Sequence, residues 1–187
     1  MKNYQITEWC HHFIEEHVAP GDLCIDATAG NGYDTAFLCH LVGDRGRVLA
    51  FDIQQAAIDA TCRRLFENSL SHIGCPILDS HVHMNLYADP ESVSCIVFNF
   101  GYLPGGDHAL STKADTSIQA METGLSLLKK GGLMSLCIYS GGDSGFEERD
   151  AILSWLKTLD SRRYIVVLSS YYNRPNNPPI PVLILKL

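Results

Sequence analysis

Residues 93–100, "VSCIVFNF", run eight positions without a charge, and Asn99 is the only strongly polar side chain among them. A run this short and this apolar reads as a strand covered on both faces, which calls for helices on each side of a sheet. The rest of the chain supplies that cover. "LCIDA", "RVLAFDI", "PILDS" and "LMSLCIY" are further short apolar runs, set among helical patterns over 4–18, 33–42, 55–67, 114–128 and 147–159. In the helix at 55–67, Ile58, Cys62, Leu65 and Phe66 are expected to share one apolar face. Such alternation predicts an α/β doubly wound sheet whose ligands sit beyond the carboxyl ends of its strands. The last two apolar runs, "YIVVLSSY" and "PVLILKL", are joined only by "YNRPNNPP" and therefore predict a terminal antiparallel hairpin. Lys129-Lys130-Gly131-Gly132 predicts the stop of the helix before it, with cations at the helix C-terminus and glycine for the reversal.

A length of 187 residues with 46% hydrophobic content fits a single domain over 1–187. No apolar run approaches the roughly 20 residues of a membrane span. The opening "MKNYQITEWCHHF" lacks the apolar stretch of a secretory signal, so the expected compartment is cytoplasmic, with no membrane partner. Seven cysteines stand singly, without a C-x-x-C pair, as reduced core thiols would. His81 and His83 in "HVH" would share a face of an extended strand, but no further ligands follow at metal spacing, so no metal is expected. The net charge of −7 argues against the broad basic surface that grips long duplex nucleic acid. Any phosphate contacts would be local, at Lys113, Lys129, Lys130, Arg162, Arg163 or Arg174.

The chemistry concentrates in "DATAGNGYDTAFL", residues 26–38, between the first strand and its helix. Gly30 and Gly32 allow a sharp turn and close approach of a ligand. Asp52 ends the next strand, where a carboxylate suits two ribose hydroxyls. A nicotinamide dinucleotide would want a third glycine at position 35 and no acid near its pyrophosphate; here position 35 is Thr, and Asp26 and Asp34 flank the turn. S-adenosylmethionine carries a sulfonium and an ammonium instead, and carboxylates attract both. The ligand this favours is S-adenosylmethionine. Asp79, Ser80 and His81, after the third strand, are placed to meet its adenine, although Asp79 serves equally well as a helix cap.

"NFGYLPGGD", 99–107, follows the fourth strand and resembles the Asn-Pro-Pro-Tyr loop of amino-group methyltransferases, with Phe-Gly in place of Pro-Pro. An amine that attacks a methyl carbon needs acceptors for its N–H bonds. Asn99 and the Phe100 carbonyl are candidates, with Tyr102 to stack on a base and Asp107, His108 or Tyr139 to take a proton.

Together with "STKADTS", "YSGGDSGFEE" and "NNPPIPVLILK", these stretches resemble the rRNA methylase family of small class I methyltransferases over nearly the whole chain. Its characterised bacterial members are tRNA (5-aminomethyl-2-thiouridine) methyltransferases (MnmM). The resemblance implies a Rossmann-like seven-stranded sheet and N-methylation of the 5-aminomethyl group on the wobble 2-thiouridine of tRNA. The partner would be the tRNA anticodon region, as one splayed base. It implies S-adenosylmethionine bound by Asp26, Gly30, Asn31, Gly32, Asp34, Asp52 and Asp79; Ala27, Thr35, Ile53, Gln54, Ser80, His81 and Asn99, which adjoin these positions or end the fourth strand, are further cofactor-binding candidates. It places Asn99, Tyr102, Gly105, Gly106, Asp107, Thr112 and Thr116 at the substrate end; His108 and Tyr139 are further candidates there, and Asn99, Tyr102 and Asp107 are the catalytic candidates. Two positions depart from the family pattern: His108 stands where Lys is usual after "GGD", and Gly142 where His is usual in the glycine-rich segment. Another RNA base such as one in rRNA, a small amine, or nucleoside and RNA binding without catalysis are the alternatives, as monomer or homodimer.

Overall fold

The computed structural model describes residues 5–100, 113–139, 142–175 and 177–187, the side chains of 142–145 excepted. Seven strands, β1 (Leu23–Asp26), β2 (Arg47–Asp52), β3 (Gly74–Leu78), β4 (Val93–Phe100), β5 (Leu128–Ile138), β6 (Tyr164–Leu168) and β7 (Ile180–Lys186), form one sheet in the order β3-β2-β1-β4-β5-β7-β6. Strands β1 to β5 are parallel, and β7 runs antiparallel to both of its neighbours. The chain builds outward from β1 to β3 and then returns to β4 on the other side of β1. Strand order therefore reverses between β1 and β4, and a crevice opens at their carboxyl ends.

Side chains alternate across the sheet, as strand geometry requires. Ile25, Phe51, Ile96, Phe98 and Phe100 face α4 (Ala114–Leu127) and α5 (Gly142–Leu156), where Met121, Leu125 and Ile152 receive them. Cys24, Val48, Cys95 and Val97 face α1 (Ile6–His17), α2 (Tyr33–Val42) and α3 (Gln55–Glu67), against Ile14, Leu38 and Leu65. Each such Val, Leu, Ile, Phe or Met side chain contributes about 1.5–3 kcal/mol of transfer free energy when fully buried. Strand β4 is buried along its length except at Asn99, as the uncharged run predicts.

Four local readings change. In α3 the buried face is Ala57, Ile58, Thr61 and Leu65, while Cys62 and Phe66 point outward, because Thr61 has to meet the glycine turn. His81 and His83 lie in a short 3-10 helix, His81–Leu86, not on an extended strand, so they do not share a strand face. Strand β5 begins at Leu128, directly after α4. Lys129–Gly132 therefore form an irregularity within the β4–β5 pairing, with Gly131 at φ 77°, and not a cap following the helix. The candidate cations also divide: Lys129, Lys130, Arg162 and Arg163 lie toward the amino ends of β5 and β6, away from the crevice. Lys113 and Arg174 lie on the rim that bears it.

Cys10, Cys24, Cys39, Cys95 and Cys137 are buried free thiols, Cys75 is half-buried and Cys62 exposed. Among the described residues no helix is long and apolar enough to cross a membrane, and no three His, Cys, Asp or Glu converge as metal ligands would.

Candidate active site

The turn after β1 is held from beneath. Asp26 faces α2, wholly out of solvent, where it accepts the Thr35 hydroxyl at 2.6 Å and the Thr28 N–H at 3.2 Å. Burial, with the charge of Asp34 adding to it, pushes its carboxyl up to about 7. Its carboxylate thus supports the turn and does not line the crevice, so any effect on a ligand is exerted through the loop. Thr35, where a dinucleotide fold would carry glycine, is the donor in that bond. Ala27 sends its N–H to the Val97 carbonyl, which joins the start of the turn to β4.

Gly30 and Gly32 have φ of 51° and 74°, the left-handed region in which a side chain is strained. The space Gly32 leaves is filled by protein: a Cβ there would lie 2.9 Å from Thr61 Cα. Close approach of α3 is thus one reason for this glycine, a role that its sequence position alone did not disclose. Thr61 donates to the Gly30 carbonyl at 3.2 Å. Arg64 donates to the Asn31 carbonyl at 2.6 Å and lies over the Tyr33 ring, 3.5 Å from its centroid.

Asp52 stands at the carboxyl end of β2. One oxygen accepts the Gly30 N–H at 3.0 Å and the other the Gln54 N–H at 2.9 Å. A carboxylate offers about four acceptor positions, so both oxygens can still receive a hydroxyl. Ile53 beside it is 60% exposed, an apolar side chain with little packed on it where a nucleoside base would lie. This pairing of an acid with open apolar surface fits a nucleoside.

Asp79 accepts from the Ser80 N–H, His83 and the Tyr87 hydroxyl, at 2.7, 2.8 and 2.9 Å, and these bonds hold its carboxyl below the usual carboxylate range. Ser80 caps the 3-10 helix by accepting the Val82 N–H. His81 donates Nδ1–H to the Ala27 carbonyl at 3.1 Å and meets Phe98 edge-on. Burial pushes its pKa down, so the ring is neutral at neutral pH and Nε2 is left as an acceptor.

On β4, Asn99 shares the face of Val97 and points toward α2. Its side-chain nitrogen donates to Asp34 at 2.7 Å, and its backbone N–H donates to the Thr28 hydroxyl at 2.8 Å. Asp34 in turn meets His11 Nε2 at 2.6 Å. A carboxylate only accepts, so the amide group turned toward Asp34 must be the NH₂. Oδ1 consequently faces away from Asp34, and no donor among the described residues reaches it. Thr7, His11, Asp34, Asn99 and Ser135 line a small cleft here, between α1 and the ends of β4 and β5.

The Phe100 carbonyl takes the Tyr139 N–H in the sheet ladder at 3.1 Å, which leaves one of its two acceptor positions for an amine. Burial pushes the Tyr139 phenol up to about 12, so it is a donor and not a base at neutral pH. Thr116 is exposed in the first turn of α4 and donates to the Lys113 carbonyl. Tyr102, Gly105, Gly106, Asp107, His108 and Thr112 lie outside the described residues. The sequence pointed to the turn, Asp52 and Asn99. It did not point to His11, Thr28, Thr61 or Arg64, whose roles depend on which helix packs where.

Residues 48–185 match the family described as "Putative rRNA methylase". A crystal structure described as a "putative rRNA-methylase" from Clostridium thermocellum superposes with a TM-score of 0.96 at 43% identity, covering 100% of each chain. A crystal structure described as a "putative methyltransferase" from Streptococcus mutans in complex with SAH superposes at 0.90 and 34% identity, again covering 100% of both. The tRNA (mnm(5)s(2)U34)-methyltransferase, chloroplastic, of Arabidopsis thaliana is 32% identical over 191 residues, which take in 92% of this chain but only 66% of that protein's length. With the reversal of strand order, the supported glycine turn and the acid ending β2 in place, the chain belongs to the rRNA methylase family of S-adenosylmethionine-dependent methyltransferases.

Proposed function

We propose that this chain, acting as a single cytoplasmic methyltransferase domain over 1–187, N-methylates the 5-aminomethyl group of the tRNA wobble 2-thiouridine. The observation that carries the reading is the orientation of Asn99. Its NH₂ is tied to Asp34, so Oδ1 is presented as an acceptor at the end of β4. An amine bound there donates one N–H to Oδ1, which turns its lone pair into the crevice. The activity of the Arabidopsis relative supports the same substrate.

S-adenosylmethionine, held by the turn at 26–35 and by Asp52, supplies a methyl group activated by its sulfonium. In the transfer the amine nitrogen forms a bond to that carbon, the carbon–sulfur bond breaks, and the nitrogen then releases one proton. The protein's part is mainly positioning, which can supply roughly 7–11 kcal/mol of barrier lowering. Asp52 orients the ribose, Asn99 orients the amine, and we assign base stacking to Tyr102 and removal of the proton to Asp107. Tyr139, as a neutral phenol, contributes a hydrogen-bond donor at the rim.

The decisive experiment incubates purified protein and labelled S-adenosylmethionine with total tRNA from cells blocked in the last wobble-methylation step, and resolves nucleosides by mass spectrometry. Conversion of 5-aminomethyl-2-thiouridine to its methylaminomethyl form is the expected result. Label in another nucleoside, or none despite measurable cofactor binding, would overturn the substrate assignment.

A further inference from the structure

We infer that His11 is a positioning residue for methyl transfer: through Asp34 it fixes the rotamer of Asn99 that presents Oδ1 to the acceptor amine. The inference rests on the amine reading above.

Three contacts make the relay. His11 Nε2 lies 2.6 Å from one oxygen of Asp34, and Asn99 Nδ2 lies 2.7 Å from the other. His11 itself is held by its ring, which stacks on Phe37 with centroids 3.6 Å apart and planes within 7°. The three side chains come from α1, α2 and β4, and each constrains the next. Because Asp34 is an acceptor, Nε2 must carry the hydrogen on that side. With both oxygens engaged from fixed directions, the carboxylate cannot rotate. The Asn99 amide, whose two ends are nearly equal in shape, is thereby held in one of two otherwise similar orientations.

Only one orientation is productive. Flipped, Asn99 would set an NH₂ against the incoming amine and an oxygen against a carboxylate, which repels it. His11 does not touch the amine. Its effect on catalysis is indirect, through the fraction of molecules whose amide is correctly turned and through the rigidity of that turn.

The test separates this role from packing by using two substitutions. His11→Phe keeps the stack on Phe37 and removes the donor, whereas His11→Gln restores an N–H near the position of Nε2. With tRNA as substrate, His11→Phe should lower kcat about tenfold, the scale of one lost hydrogen bond, and shift the Kd for S-adenosylhomocysteine by less than about threefold. His11→Gln should recover most of that kcat. In the uniformly ¹⁵N-labelled free protein, the Asn99 side-chain amide signals should move in His11→Phe and return toward wild type in His11→Gln. An unchanged kcat, an equal loss in both variants, a parallel loss of S-adenosylhomocysteine affinity, or unmoved Asn99 signals would each overturn the relay. If the wild type methylates no tRNA, the amine reading falls, and the Asn99 signals alone decide the relay.

Discussion

Thr35 Oγ1 donates to Asp26 Oδ2 across 2.6 Å, wholly out of solvent, and so ties the start of α2 to the end of β1. The bond lies beneath the loop that meets the ligand, where no water competes for either group. The bond favours the charged carboxylate, but burial outweighs it and holds a proton in the core.

Burial, and next the charge of Asp34, raise the Asp26 carboxyl from 3.8 to about 7. The folded chain therefore keeps a proton that the unfolded chain has lost over this interval, and this group's contribution to stability falls as pH rises from about 4 to about 7. Asp26→Asn, neutral and of the same shape, should remove that component. Thermal unfolding of both proteins across the interval measures it: the Tm difference should shift in favour of the variant as pH rises, and parallel curves would exclude Asp26 as the source.

Asp52→Ala should weaken S-adenosylhomocysteine binding about 100-fold, from the loss of two hydrogen bonds to a charged acceptor at roughly 1.5 kcal/mol or more each. The substitution also frees the Gly30 and Gln54 N–H groups. Isothermal titration decides it, and an affinity within about threefold of wild type would remove Asp52 from the ligand site.

Gly32→Ala and Gly43→Ala form a matched pair. Both residues have positive φ, 74° and 62°, but only at Gly32 does a new Cβ strike backbone, 2.9 Å from Thr61 Cα, while nothing lies within 4 Å at Gly43. Gly43→Ala should cost about 1–3 kcal/mol for its backbone conformation alone (φ 62°, ψ −173°), which few residues but glycine adopt, and Gly32→Ala roughly 2–4 kcal/mol for a left-handed conformation plus the clash. Urea unfolding measures both, and a Gly32→Ala loss no larger than the ~1–2 kcal/mol of a left-handed residue would mean that α3 yields freely.

Lys186 is buried near the end of β7 and donates to the carbonyls of Leu125 and Leu128 at 3.2 and 2.7 Å, where α4 meets β5. Lys186→Met keeps the stem and leaves both carbonyls without that donor, at a loss of about 1–3 kcal/mol. The ion pair with the exposed Glu91 adds little, so Glu91→Gln should be nearly silent in the same unfolding measurement.

Much of this architecture is legible in the sequence because it rests on local signals. The uncharged "VSCIVFNF" gives a doubly covered strand, and the short connection before "PVLILKL" gives the antiparallel pairing. Asp52 and Asn99 stand out as polar residues ending apolar strands. What is not legible depends on tertiary approach. His11 looks like one of several polar positions on α1 until α2 brings Asp34 to it. Cys62 and Phe66 look apolar enough to face inward, but the contact between Gly32 and Thr61 sets the rotation of α3 and turns them out. The Phe100 carbonyl looks wholly free in the sequence, but the ladder bond from Tyr139 takes one of its two acceptor positions.

Strand β7 is the last of the seven in the chain, yet it lies inside the sheet, between β5 and β6. Strand β6 touches the sheet only through β7, so during synthesis it waits unpaired until residues 180–186 have left the ribosome. Until then β5, which carries Tyr139 just beyond its end, keeps one edge open. Closure of the sheet is thus a late step that joins distant parts of the chain, and such steps are slow. A nascent chain arrested before Ile180 should remain open to protease at 164–168, and protection there at that length would show that β6 had found another partner.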